Sequence, residues 1–255
     1  MKLFEALDID SQIKELICFV GAGGKTTTMF KLARELKKLG CKVLVTTTTA
    51  IFKPAEEEYD NLIITNSLNL KDFGNINKGT VTVLGREISE ENKLLGLNRI
   101  FIEKLYNSRL FDYILVEADG SKRKPIKAPA SYEPVLPCNA TKVVGVIGLD
   151  CIGRRIEDDS VHRPEIFCQI TDSNIGEIID EEKIFKIVVS DNGLFKNTTQ
   201  YCARYLILNK CDTDREKRYG INIVKKIISS KYPLSKILIG QMRDGEITYI
   251  WSDKI

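Results

Sequence analysis

A chain of 255 residues with 43% hydrophobic and 29% charged residues has room for one large α/β domain or two small ones and can bury a core without disulfide or metal staples. A formal charge of +3 gives no electrostatic case for a nucleic-acid partner. Seven cysteines at 18, 41, 138, 151, 168, 202 and 211 form no C-x-x-C pair, so neither a zinc site nor a disulfide framework is expected, and reduced thiols of a cytoplasmic protein fit the pattern.

In chain order, residues 2–16 read as an amphipathic helix with Leu3, Leu7, Ile13 and Leu16 inward. Glu5, Asp8 and Asp10 within it argue against a signal peptide, and no apolar run reaches the length of a membrane span. Ile17 to Val20 is a buried strand ending in glycines, Thr26 to Leu39 a helix stopped by Gly40, and Lys42 to Thr46 a second strand. Pro54 to Gly79 is less regular, with a strand at Leu62 to Thr65; another strand lies within Gly79 to Gly85. Asn98 to Ser108 reads as a helix, and Tyr113 to Glu117 and Lys142 to Leu149 as buried strands. A helix over Ile178 to Val189, a strand at Tyr205 to Leu208, a helix at Asp214 to Ser230, a strand at Lys236 to Gly240 and an edge hairpin at Ile247 to Trp251 complete the series. Apolar strands alternating with helices predict a three-layer α/β sandwich with a mostly parallel sheet, P-loop NTPase-like, as a single domain over 1–255.

Ligands of such folds bind beyond the carboxyl ends of the strands, and the candidate residues cluster at those ends. GAGGKTTT follows the first strand. It spells G-x-x-G-K-T, two residues shorter than the usual phosphate loop G-x-x-x-x-G-K-[ST]. Gly21, Ala22, Gly23, Gly24, Lys25, Thr26 and Thr27 are the predicted nucleotide contacts, with main-chain N–H groups and the helix dipole turned toward phosphate. Lys25 would neutralise phosphate charge, and Thr26 would offer its hydroxyl to Mg²⁺. Glu117 and Asp119, at the tip of YILVEAD, are the acidic metal ligands or orienters of water.

Two further stretches have spellings used by GTP-binding proteins. Asp150 and Gly153 give D-x-x-G, and Asn209, Lys210 and Asp212 give N-K-x-D, whose aspartate reads guanine. Thr47 and Thr48 leave the second strand near the phosphate site. Gly120 to Pro137 is a proline-rich basic loop with Lys122, Arg123, Lys124 and Lys127, suited to cover the site or grip a second anion. His162 is the only histidine; Arg163 beside it, Arg154 and Arg155 are candidate transition-state arginines.

Taken together, FVGAGGKTTT, VTTTT, VEADGSKRKPIKAPASYEPV, GLDCIG, VHRPE and LNKCD resemble the YqeC family, described as accessory proteins of selenium-dependent molybdenum hydroxylases and as selenium cofactor biosynthesis proteins. The resemblance runs from Phe19 to Asp212, and Tyr132 stands where the family pattern has histidine. It implies a P-loop nucleotide-binding fold, GTP or ATP with Mg²⁺, and a role with a selenium or molybdenum cofactor species and the hydroxylase it matures. The alternatives are an ATP-dependent ligase or kinase acting on a small acid or cofactor, as short loops of this type serve in Mur-type ligases, and a non-catalytic nucleotide switch that binds a partner enzyme.

Overall fold

The computed structural model describes residues 1–10, 12–67, 73 and 76–253. In chain order it contains α1 (Leu3–Ala6), β1 (Glu15–Gly21), α2 (Lys25–Lys38), β2 (Lys42–Thr47), β3 (Ala50–Phe52), β4 (Asn61–Ile64), β5 (Thr80–Gly85), β6 (Glu87–Ile88), β7 (Lys93–Leu95) and α3 (Arg99–Asn107). There follow β8 (Tyr113–Glu117), β9 (Ile126–Lys127), β10 (Lys142–Gly148), β11 (Val161–His162), α4 (Pro164–Thr171), α5 (Glu181–Val189), β12 (Ala203–Asn209), α6 (Asp214–Ser230), β13 (Lys236–Gln241) and β14 (Glu246–Ser252).

Nine strands form the main sheet in the order β14-β13-β12-β10-β1-β8-β2-β5-β4. Every neighbouring pair is parallel except β13 with β14, the antiparallel edge hairpin. The two faces follow from the period-two alternation of strand side chains. Ile17, Phe19, Val43, Val45, Leu115 and Val144 pack with α1 and α2 on one side. Leu16, Cys18, Val20, Leu44, Val116 and Val143 pack with α3, α4, α5 and α6 on the other. This is the three-layer, P-loop NTPase-like sandwich the sequence predicts. From β1 the chain crosses to β2 on one side, and from β8 it crosses β1 to β10 on the other. The carboxyl end of β1 is therefore a topological switch point, where such sheets open a crevice.

Several boundaries differ from expectation. The helix predicted over 2–16 ends at Ala6, and Leu16 already lies in β1, because Leu16 and Ile17 are needed on opposite faces of the sheet. Ile13 is exposed between them. The helix predicted from Ile178 starts at Glu181, where the Asp180 side chain accepts from the Lys183 N–H and caps it. Sequence patterning misses the small antiparallel sheet β3-β7-β6, the two-residue pair β9-β11, and α4. These elements are too short, or too closely framed by prolines and glycines, to show a period.

Candidate functional site

β1 runs into the glycine turn at Gly21, and α2 starts at Lys25 with Gly24 as its N-cap. Shortening the loop forces tight backbone approaches. Gly23 has φ +77°, and a Cβ there would strike the backbone of Gly148 and the Pro125 carbonyl. Gly24 has φ +127°, and a Cβ would strike the Asn209 side chain. Part of the loop's N–H supply goes into holding this shape. Gly21 N–H donates to Asp119 Oδ2 at 3.0 Å, Ala22 N–H to the Val146 carbonyl at 2.8 Å, and Gly23 N–H to the Lys124 carbonyl at 3.1 Å. Within the helix, the first N–H to find an acceptor in the preceding turn is that of Thr28, on the Gly24 carbonyl. The amides of the first turn, from Lys25 to Thr27, are thus the ones geometry leaves for an anion, with the helix dipole behind them.

Lys25 is 2% exposed. Its ammonium donates to the Gly21 carbonyl at 2.6 Å and lies 3.1 Å from Asp119 Oδ1 and 3.5 Å from Glu117 Oε1. Burial alone would lower its pKa, but Asp119 and Glu117 outweigh that and hold it above the ordinary lysine value. Burial lifts the Glu117 carboxyl above the usual carboxylate range despite the attraction of Lys25 and the Thr26 hydrogen bond, and Asp119 pushes it the same way. The Thr26 hydroxyl donates to Glu117 Oε2 at 2.6 Å. Lysine, threonine and both acidic residues predicted from separate stretches thus meet at one point.

Their positions are not equivalent. Thr26 and Glu117 line an open cleft of ≈600 Å³ at the end of β1, together with Gly23, Gly24, Lys25 and Thr27; Asp119 does not line it. Asp119 sits beneath the turn, 2% exposed, bound by Gly21, Lys25 and Lys127. Among the described residues no group of three or more His, Cys, Asp and Glu side chains could hold a metal. A Mg²⁺ ion that takes one or two protein oxygens and completes its shell with phosphate and water fits Thr26 Oγ1 and Glu117, whose hard oxygen donors already meet. Asp119 fits the role of loop anchor better than that of direct ligand.

The cleft is strongly basic. Lys25, Lys93, Lys122, Arg123, Lys124 and Lys210 line it, against the single carboxylate of Glu117. Phe52 forms part of the wall, with the Arg123 guanidinium 3.9 Å from its ring centroid. Neither Phe52 nor Lys93 carries a sequence motif; only the small sheet, pairing β3 with β7 antiparallel, brings them to the cleft.

The N-K-x-D stretch reaches the loop. Asn209 Nδ2 donates to the Gly23 carbonyl at 2.8 Å, and its Oδ1 accepts from Met242 N–H at 2.9 Å. Lys210 borders the cleft and pairs with Asp150 at 2.8 Å. Asp212 is exposed and bonded to Gln241, and it does not line the cleft. The D-x-x-G reading of Asp150 and Gly153 as a phosphate sensor does not match the geometry. Asp150 follows β10 and is engaged by Lys210 and Arg154, and neither Asp150 nor Gly153 lines the cleft. The strand tip that does face it, Glu117 to Gly120, carries the same four-residue spacing with glutamate in the first place.

Other candidates are redirected. Thr47 and Thr48 do not face the cleft, because their hydroxyls donate to the carbonyls of Glu117 at 2.8 Å and Val135 at 3.1 Å. Lys127 is not a solvated loop residue. It is 3% exposed in β9 and donates to Gly120 O and Glu133 Oε2, both at 2.7 Å. Arg163 grips Glu133 with both guanidinium nitrogens, at 2.6 and 3.2 Å, and Arg155 bonds the Gly176 carbonyl. His162, paired through β11 to β9, stands away from the cleft. Glu133, which holds Lys127 and Arg163, is a buried residue that sequence reading misses. The hint available was a lone acid among the prolines and lysines of the basic loop.

No helix among the described residues is long and apolar enough to cross a membrane. The family model described as YqeC protein matches residues 17–165. The YqeC protein of Escherichia coli (strain K12) is 30% identical over 205 residues, covering 80% of this chain and 79% of that one. Among solved structures, chloroplast FtsY from Physcomitrella patens aligns with a TM-score of 0.44 and 17% identity over 91% of this chain, and FtsY from Mycoplasma mycoides with a TM-score of 0.41 and 16% identity over 95%. This chain spans 61% and 65% of those two FtsY chains. The family match across the phosphate loop, the acidic strand tip and the basic loop, with the identity to the Escherichia coli protein, establishes that the chain belongs to the YqeC family.

Proposed function

We propose that this protein binds and hydrolyses a nucleoside triphosphate with Mg²⁺, and that the cycle supports maturation of a selenium-dependent molybdenum hydroxylase or its cofactor. The observation that carries the first half is the set of contacts around Lys25. A buried ammonium at a helix N-terminus, held by Gly21, Asp119 and Glu117, is stored beside the amides a polyphosphate would use. Phosphate oxygens would take over the ammonium, the first-turn amides would hold the chain of phosphates, and Thr26 with Glu117 would hold Mg²⁺. The metal, when bound, supplies charge neutralisation between phosphates. Glu117 would orient the attacking water.

GTP is the preferred nucleotide in this reading, since Asp212 is exposed two residues after Lys210, which lines the cleft, and could accept from guanine. The hydroxylase partner and the selenium or molybdenum species come from family membership. A cytoplasmic setting agrees with seven free cysteines. A second reading, a kinase or ligase that passes phosphate to a small acceptor, is favoured by a second cavity contiguous with the cleft.

Calorimetry with Mg-GTP and Mg-ATP, followed by assay of free phosphate, tests the proposal. Binding is expected in the intact protein and a weakening of about a hundredfold in Lys25→Ala, the scale of lost charge-assisted phosphate contacts. No heat from either nucleotide would remove the proposal. Phosphate release only in the presence of an acceptor would select the kinase or ligase. In Asp212→Asn the preference for GTP over ATP should vanish; an unchanged ratio would exclude guanine recognition by Asp212.

A further inference from the structure

Ala50, Gly120 and Lys122 border both the phosphate cleft and a second cavity of ≈650 Å³ that Lys25, Thr26 and Lys210 do not line. Lys122, Tyr132, Glu133, His162 and Arg163 line this cavity together with Asp158 and Glu165; Lys122, Tyr132, Asp158 and Glu165 are exposed, and His162 and Arg163 are half-buried. Its charges are unequally committed. Glu133 is saturated: Lys127 and Arg163 hold its two oxygens, and Ala130 N–H adds a third bond. Lys122 is exposed and makes no ion pair or hydrogen bond with a described residue. The His162 ring likewise bonds no described residue. Burial, then Arg163, Lys127 and Lys122, outweigh Glu133 and hold its pKa down at about 4, so the imidazole is neutral at pH 7 and offers one donor and one acceptor.

The lining therefore offers an oxyanion one exposed ammonium and one half-buried imidazole N–H, and elsewhere carries the exposed carboxylates of Asp158 and Glu165. We propose that this cavity is a second binding site, contiguous with the phosphate cleft, for a small molecule that carries one oxyanion and is otherwise neutral or cationic. Lys122 and His162 hold the oxyanion, and Asp158 and Glu165 disfavour a second negative charge. The site stands on its own geometry; its use as the seat of an acceptor facing the γ-phosphate across Gly120 and Lys122 rests on the nucleotide reading.

A fluorescence titration tests it. Tyr132 is 68% exposed, so Tyr132→Trp places a reporter on the cavity, and the only native tryptophan, Trp251, lies in edge strand β14. The probes are acetate, glycine and succinate at constant ionic strength. Acetate and glycine should give a saturable change, and succinate should bind about tenfold more weakly because its second carboxylate meets Asp158 and Glu165. Lys122→Gln and His162→Gln in the reporter background should each weaken acetate about tenfold, with melting temperatures matching the parent. No saturable signal from any probe, acetate affinity in both variants equal to that of the parent, or succinate binding as tightly as acetate would overturn the site. Mg-ATP and Mg-GTP are titrated into the same proteins: acetate binding without nucleotide binding would refute the nucleotide reading and leave the cavity, and the reverse result would do the opposite.

Discussion

Replacing Lys127 with methionine separates the structure from a plain reading of its loop. The side chain is 3% exposed and lies between Asp119, 3.1 Å away, and Glu133, 2.7 Å away. Methionine keeps roughly the length and removes the charge, leaving two buried carboxylates with one cation fewer. Breaking a buried ion pair from one side costs about 3–5 kcal/mol. Asp119 keeps Lys25 and Gly21 N–H, and Glu133 keeps Arg163 and Ala130 N–H, so the lower end of that range, about 3 kcal/mol, is expected. For a chain of this size that lowers Tm by roughly 6–12 °C. The pH dependence has a definite sign. Burial alone would raise the Glu133 carboxyl, but Lys127 and Arg163 hold it below the ordinary glutamate value. Its contribution is thus fully present above the unfolded pKa of about 4.3 and is lost as pH falls through the lower folded value. The stability gap between wild type and Lys127→Met should be full at pH 7 and close in acid. Urea unfolding followed by circular dichroism across that range measures it. A solvated loop lysine would give a change within about 0.5 kcal/mol at every pH, and that result would refute the buried network.

Thr26→Ala should weaken nucleotide about ten- to hundredfold in Mg²⁺ and much less in excess chelator, because the lost hydroxyl serves the metal and Glu117; calorimetry under both conditions reads the difference. Asn209→Ala should cost about 2 kcal/mol or more, since it leaves the Gly23 carbonyl and Met242 N–H buried without their partner; thermal denaturation without ligand checks this.

The sequence carries the sheet well and its loops poorly, for one physical reason. Strands such as Tyr113–Glu117 and Lys142–Gly148 are buried on both faces, so their identity is local: a short run of β-branched and apolar residues. The glycine turn is legible too, because it needs particular residues in a particular order. Lys122, Lys124 and Lys127 look alike in a string of letters. They separate only when β9 pairs with β11 and draws Lys127 inward beside Glu133, while Lys122 pairs with no described residue and borders both cavities. The nearest local signal was Ile126-Lys127-Ala128 framed by Pro125 and Pro129, which favours extended backbone but does not say which side is buried.

Charge balance is still less visible in sequence. Glu117, Lys25, Asp119, Lys127, Glu133 and Arg163 alternate in sign along one connected path, with three acids and three bases. The path is neutral as it stands. A polyphosphate that engages Lys25 takes one positive charge from Glu117 and Asp119, and a divalent cation beside Glu117 restores it. Nucleotide and Mg²⁺ should therefore bind as a pair, each raising the affinity of the other by the same factor. Equal nucleotide affinity with and without Mg²⁺ would mean that Lys25 does not leave its carboxylates when phosphate arrives.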